Sequence, residues 1–75
     1  MTSNELTLTL TVDADADAGY IDAGQNDVVR PVARSIPIQT DDGHVYGCLD
    51  LAADGSLLGI ELLGLRTLLP RAEGA

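Results

Sequence analysis

Two Asp-Gly pairs constrain the fold of this chain more than any other feature of its sequence. Asp42-Gly43 and Asp54-Gly55 each lie between stretches in which apolar and polar side chains alternate. An Asp-Gly pair in that setting is a strong signal for the two-residue turn of a β-hairpin. With each pair at the centre of its turn, the stretch between them becomes a strand that two hairpins share.

The turn positions also predict which residues lie opposite one another. The predicted pairs are Ile36 with Leu49 and Ile38 with Gly47 in the first hairpin, and Leu49 with Ile60, Gly47 with Leu62 and Leu51 with Leu58 in the second. Both hairpins place the same residues of the shared strand on one apolar face, and a shift of one residue would reverse the faces. The opposite face is predicted to hold Ser35, Gln39, Tyr46, Cys48, Asp50 and Glu61.

The first part of the chain predicts a further hairpin. The segment Leu6–Val12 alternates between apolar side chains and threonines, which is typical of a strand with one buried face. The acidic stretch Asp13–Asp17 predicts a turn, because aspartate favours turns over strands. We expect a second short strand over Gly19–Ala23, with Tyr20 and Ile21 on opposite faces.

The segment Val28–Thr40 predicts a third extended stretch, which Pro31 and Pro37 interrupt. Proline cannot donate a hydrogen bond to a strand ladder, so these residues belong at an edge, a bulge or the start of a strand.

The pattern changes after Gly64. The spacing of Leu65, Leu68 and Leu69 favours one or two helical turns laid across the sheet, ended by Pro70. The alternative is that the last strand continues to Leu65.

These elements predict a mainly β fold: a small antiparallel β-meander of about five strands with a short C-terminal helical turn, for which α+β is the alternative class. We expect residues 1–75 to form one domain with an ordered core over 6–69, and residues 1–5 and 71–75 to be frayed. The chain has no Phe or Trp, so Leu, Ile and Val must form the core. A domain of this size buries only roughly 60% of its unfolded surface, and we therefore expect a homodimer that covers one face of the sheet.

The charge balance narrows the classes of partner. Twelve acidic residues against four arginines, with no lysine, give a formal net charge of −8. Such a surface repels phosphate groups, so we expect neither nucleic-acid binding nor contact with an anionic membrane. A basic protein partner is compatible with it; the alternative is that the charge only keeps a leucine-rich protein in solution.

The sequence also indicates a cellular compartment. Cys48 is the single cysteine and cannot form an internal disulfide. The first five residues have no basic segment followed by an apolar run, and no apolar stretch approaches the roughly 20 residues of a membrane span. We therefore expect a cytoplasmic protein.

The alternation of Asp13, Asp15 and Asp17 resembles the ligand spacing of a calcium loop. The comparison fails further along, because such a loop needs a glycine where this chain has Ala18 and a glutamate where it has Gly24. An acidic hairpin turn is the better interpretation, and we expect no metal and no cofactor.

Catalysis has few candidates. His44, the single histidine, is predicted opposite Asp41, where a surface ion pair is available. Cys48 is predicted near Asp50 and opposite Glu61, and acidic neighbours raise a thiol's pKa and disfavour the reactive thiolate. No base, nucleophile and orienting group come together, so we expect no enzyme.

Two motifs give a resemblance to a known family. The segment Val12–Ile21 resembles the opening of the DUF2283 family, in which an aromatic residue and Asp precede an Ala-Asp step and an apolar-Tyr-Ile strand. Leu49–Leu51, Asp54-Gly55 and Gly59–Leu62 resemble its second motif, a strand, an Asp-Gly turn and a Gly-Ile-Glu strand. The resemblance covers Val12 to Leu63. The chain departs from the pattern at Val12, at Gly19 and after Leu63.

The resemblance implies a small bacterial protein of uncharacterised function. Some family members lie beside genes for toxin-like ribonuclease relatives, which implies an antitoxin-like role. We therefore expect a protein-binding module, with a basic ribonuclease-type toxin as one such partner; the alternative is a structural homodimer without ligand or catalysis. The predicted partner-binding residues are Asp13, Asp15, Asp17, Asp22 and Glu61.

Overall fold

A computed structural model describes residues 3–23 and 31–70. It contains five strands and a short helix: β1 (Thr9–Asp13), β2 (Ala18–Asp22), β3 (Arg34–Gln39), β4 (Val45–Leu51), β5 (Leu57–Leu63) and α1 (Leu65–Leu68). All neighbouring strands are antiparallel and belong to one sheet. The predicted class, a small mainly β meander with a C-terminal helical turn, is confirmed.

The strand order is β1-β2-β5-β4-β3. After β2 the chain crosses to the far edge of the sheet and returns through two hairpins, so that β5 pairs with β2. Since β3 is an edge strand, Pro37 can lie within it without removing a hydrogen bond from a central ladder. The edge placement expected for this proline is therefore confirmed.

The structure confirms four of the five predicted residue pairs across β3, β4 and β5. The prediction that Leu51 lies opposite Leu58 is wrong, because the register shifts after Asp50 and Leu51 lies opposite Leu57. An extra residue in one strand of a pair is a β-bulge.

Three predicted strands also have wrong boundaries. β2 spans Ala18–Asp22 rather than Gly19–Ala23. β1 begins at Thr9 rather than Leu6, because Thr9 pairs with Asp22, the last residue of β2; Leu6 lies beyond that pair and is 84% exposed. β3 begins at Arg34, and residues 31–33 form no strand. The start of the third stretch at Val28 and the fraying of residues 1–2 and 71–75 lie outside the described residues.

The helix α1 forms where the leucine spacing predicts it, and the alternative of a strand that continues to Leu65 is wrong. Gly64 has φ +67°, a left-handed conformation that favours glycine, and it turns the chain out of β5. The helix is then held at the β1–β2 turn, because the main-chain N–H of Leu65 donates to the carbonyl oxygen of Asp17 over 2.9 Å.

Little of the described chain is fully buried. Among these residues, the buried hydrophobic side chains are Ala52 and Leu65, at 4% and 1% exposure. A β-carbon on Gly19 would lie 3.0–3.3 Å from the side chains of Leu10 and Leu65, so α1 covers one corner of the sheet at these residues. The described part of the chain therefore forms a single-layer sheet with a small cover.

Candidate functional site

Two rows of aligned residues cross all five strands on one face of the sheet. In the order β1, β2, β5, β4, β3 they are Thr9, Asp22, Gly59, Asp50, Ser35 and Thr11, Tyr20, Glu61, Cys48, Pro37. Residues opposite one another point to the same face, and Asp13, opposite Ala18, continues it on β1. We call this surface, with its carboxylates Asp13, Asp22, Asp50 and Glu61, the acidic face.

Asp50 is the centre of a hydrogen-bond network on the acidic face. Its carboxylate accepts the phenol of Tyr20 over 3.1 Å and the hydroxyl of Ser35 over 2.8 Å. Tyr20 reaches across Gly59, where an added β-carbon would overlap its ring. The network links β2, β4 and β3, and thereby spans most of the sheet.

The Cys48 thiol lies beside two carboxylates. Its Sγ is 3.6 Å from Oδ1 of Asp50 and 3.7 Å from Oε1 of Glu61. Burial, followed by the negative charge of Asp50 and the thiol's hydrogen bond to it, raises the pKa of Cys48. This agrees with the effect expected from the sequence, and it keeps the thiol in its weakly nucleophilic, protonated form.

The pKa of Tyr20 shifts in the same direction as that of Cys48. Burial, together with the hydrogen bond to Asp50, raises the pKa of its phenol. The phenol is therefore protonated at neutral pH and donates its hydrogen bond to the Asp50 carboxylate. This bond stabilises the negative charge of Asp50 beside the other carboxylates of the face.

The five predicted partner-binding residues fall into two groups. Asp22 and Glu61 lie on neighbouring central strands of the acidic face and are exposed. Asp13, the last residue of β1, belongs to the same face at its edge, and Asp15 and Asp17 lie in the β1–β2 turn beside it.

Two residues of the turn have internal structural roles. Asp13 Oδ1 accepts the main-chain N–H of Ala16 over 3.2 Å. Asp17, at φ +52°, accepts the main-chain N–H of Arg66 on its Oδ1 over 2.8 Å. Asp15 is exposed, so within the turn its carboxylate is the better placed for an external partner.

Sequence reasoning did not identify Tyr20 and Asp50 as a pair. The hairpin register places Asp50 correctly on the polar face. Its contact with Tyr20, however, depends on the pairing of β2 with β5, which no turn signal predicts. The glycine opposite Asp22, Gly59, is the single sequence feature that marks room for a large neighbour.

The β3–β4 turn differs from its prediction. Thr40, not Asp41, lies opposite His44, since the main-chain N–H of Thr40 donates to the carbonyl oxygen of His44 over 2.9 Å. The register shift between Ile38 and Gln39 accounts for this displacement. The His44 ring lies edge-on to Tyr46, with 4.6 Å between ring centroids.

The β3–β4 turn has its own polar contacts. The hydroxyl of Thr40 donates to the Asp42 carboxylate, and this bond lowers the pKa of Asp42. The Asp42 carboxylate is thus a hydrogen-bond acceptor within the turn.

An open cleft of about 280 Å³ lies at the β1 side of the acidic face. Its lining includes Thr11, Asp13, Tyr20 and Glu61. Within residues 3–23 and 31–70, no three His, Cys, Asp or Glu side chains are grouped so that they could hold a metal ion.

The comparisons with known proteins return no relative. No protein-family model matches the chain, and no curated protein and no solved structure matches it. Of the helices in the described part of the chain, none has the length and apolar character needed to cross a membrane.

Proposed function

We propose that this chain is a protein-binding module whose acidic face contacts a basic surface of another protein. The observation that supports this proposal is the separation of charge. All the carboxylates of the described strands lie on the acidic face. The one arginine of these strands, Arg34, is in register with Leu51 on the opposite face.

The arrangement suits a protein partner with lysine or arginine side chains. Asp22 and Glu61 are exposed, and Asp15 extends the negative surface beyond the sheet. A surface of one sign raises the association rate of an oppositely charged partner and disfavours partners of like charge. Nucleic acids and anionic membranes fall in the disfavoured class, and the module performs no catalysis.

A basic ribonuclease-type toxin is one partner of the required chemistry. It is suggested by the resemblance of Val12–Ile21 and Gly59–Leu62 to the DUF2283 family. In that case the chain acts as an antitoxin-like protein in the cytoplasm, and the partner's positive nucleic-acid-binding surface is the surface that the acidic face covers.

The test is capture of a partner by tagged protein from a lysate of the source cells. The face variant combines Asp22→Asn with Glu61→Gln. The control combines Asp41→Asn with Asp54→Asn, which changes the net charge equally but in the β3–β4 and β4–β5 turns. We expect wild type and control to retain one basic protein at low salt, and the face variant to lose it. Equal retention by both variants would refute the proposal.

A further inference from the structure

The face opposite the acidic face is apolar in two rows that cross all five strands; Arg34, the first residue of β3, lies on the same side beyond these rows. The two rows, in the order β1, β2, β5, β4, β3, are Leu10, Ile21, Ile60, Leu49, Ile36 and Val12, Gly19, Leu62, Gly47, Ile38. No polar side chain interrupts either row. We call this surface the apolar face.

Most of the apolar face has no cover within the described chain. Leu65 of α1 covers the corner at Leu10 and Gly19. At the two edges, Val12 is 43% exposed and Ile38 is 37% exposed, and the other large side chains of the rows are only partly buried. A continuous apolar surface of this kind marks an interaction site.

We propose that a second copy of this chain packs face to face on the apolar face, forming a two-fold symmetric, two-layer sandwich. Two sheets packed in this way lie about 10 Å apart with their strands inclined by about 30°. A two-fold axis near Ile60 and Leu49, which lie on the neighbouring strands β5 and β4, would place the same residues of both copies against each other.

The available area reaches the lower bound for a specific interface between two copies. Five strands about 4.8 Å apart, each of five to seven residues at about 3.3 Å per residue, give a flat footprint of roughly 500 Å² per copy. Two footprints sum to roughly 1,000 Å², the area that a specific interface needs. The relief of the side chains adds accessible surface to that figure.

The distribution of charge favours a second copy as the occupant. The chain has a net charge of −8, so two copies repel each other in most orientations. Contact through the apolar faces buries none of the four carboxylates of the acidic face, and Arg34 lies beyond the two rows on the edge strand β3. Such a contact avoids the desolvation penalty of a buried charge. It also places the two acidic faces on the outside of the sandwich, where they are furthest apart and exposed to solvent.

This inference does not depend on the proposed function, since the two surfaces lie on opposite sides of the sheet. It is tested by sedimentation of the full chain from about 1 to 200 µM, with the variants Val12→Gln and Ile38→Gln. The control is Leu63→Gln, because Leu63 is 40% exposed but lies opposite Ala18, on the acidic side of the sheet.

We expect the wild type to sediment at twice the 7.8 kDa mass of one chain. Val12→Gln and Ile38→Gln should each raise the dimer dissociation constant at least tenfold, and Leu63→Gln should not. A wild type that is monomeric at the highest concentration would overturn the proposal. So would a dimer that is weakened by Leu63→Gln alone, or a face that is occupied by a different protein after purification.

A second measurement needs no variant and therefore no assumption that a variant folds. In a mixture of isotope-labelled and unlabelled wild type, isotope-filtered NMR detects contacts between chains. We expect methyl contacts between copies from Ile36, Leu49 and Ile60. Inter-chain contacts confined to residues of the acidic face would contradict the inference.

Discussion

At the residue scale, the environment of Cys48 makes the strongest chemical statement. Burial raises the pKa of this thiol most, and the neighbouring carboxylates of Asp50 and Glu61 raise it further, so all three disfavour the thiolate. The folded chain therefore binds the thiol proton more tightly than the unfolded chain. The corresponding stability is present below the ordinary thiol pKa and is lost as the pH rises through the raised pKa of the folded state.

We predict that Cys48 is alkylated slowly, because alkylation requires the thiolate. The rate with iodoacetamide, measured against pH, should rise at a higher pH for the folded protein than for the same protein in urea. Glu61→Gln should shift the folded profile towards lower pH, while Asp41→Asn should leave it unchanged. A folded profile that coincides with that of the urea-unfolded protein would contradict the assignment.

Sequence reasoning succeeds at this scale where neighbours are set by a single hairpin. The position of Cys48 opposite Glu61 follows from the Asp54-Gly55 turn. The contact of Tyr20 with Asp50 joins residues 30 positions apart, and no local signal specifies it.

At the element scale, β3, β4 and β5 could be predicted because each is joined to the next by an Asp-Gly turn. The pairing of β2 with β5 could not, since it depends on how the first hairpin docks on the other three strands. The two register shifts were also missed, because a bulge adds a residue without changing the alternating pattern that surrounds it. Leu51 consequently lies opposite Leu57 rather than Leu58.

The helix α1 is held to the β1–β2 turn chiefly by Asp17, and the Arg66 guanidinium adds a hydrogen bond to the carbonyl oxygen of Ala14 over 3.0 Å. Asp17 accepts hydrogen bonds from the main-chain N–H groups of Leu65 and Arg66, the second of them on its side chain. Its φ of +52° is a conformation that Asp and Asn tolerate better than other residues with a β-carbon.

We predict that Asp17→Ala lowers the free energy of unfolding by roughly 1–3 kcal/mol, since it removes the side-chain acceptor and places alanine in a left-handed conformation. Asp17→Asn retains an acceptor oxygen and should cost much less. The measurement is urea unfolding at one fixed protein concentration, with Asp15→Ala as the control in the same turn. Equal stability of Asp17→Ala and Asp15→Ala would contradict this role for Asp17.

At the scale of the whole molecule, the sheet has two chemically distinct surfaces. The alternation of leucine and threonine in Leu6–Val12, together with the hairpin registers, predicts such a division from the sequence alone. Neither feature predicts how little of the apolar face residues 3–23 and 31–70 themselves cover, because that depends on the position and length of α1. Because the two surfaces lie on opposite sides of one layer, the proposed self-association and the proposed partner binding can be tested separately.

The central claim is that the acidic face binds a basic protein and the apolar face binds a second copy of the chain. The two contacts should differ in their dependence on salt concentration. Two differently tagged copies of the chain, co-expressed and captured through one tag, report self-association and partner binding in the same sample. Raising sodium chloride from about 0.05 to 0.5 M screens charge contacts but not apolar ones. We predict that the basic partner is released while the second copy is retained. Release of the second copy, or retention of the partner, would contradict the account.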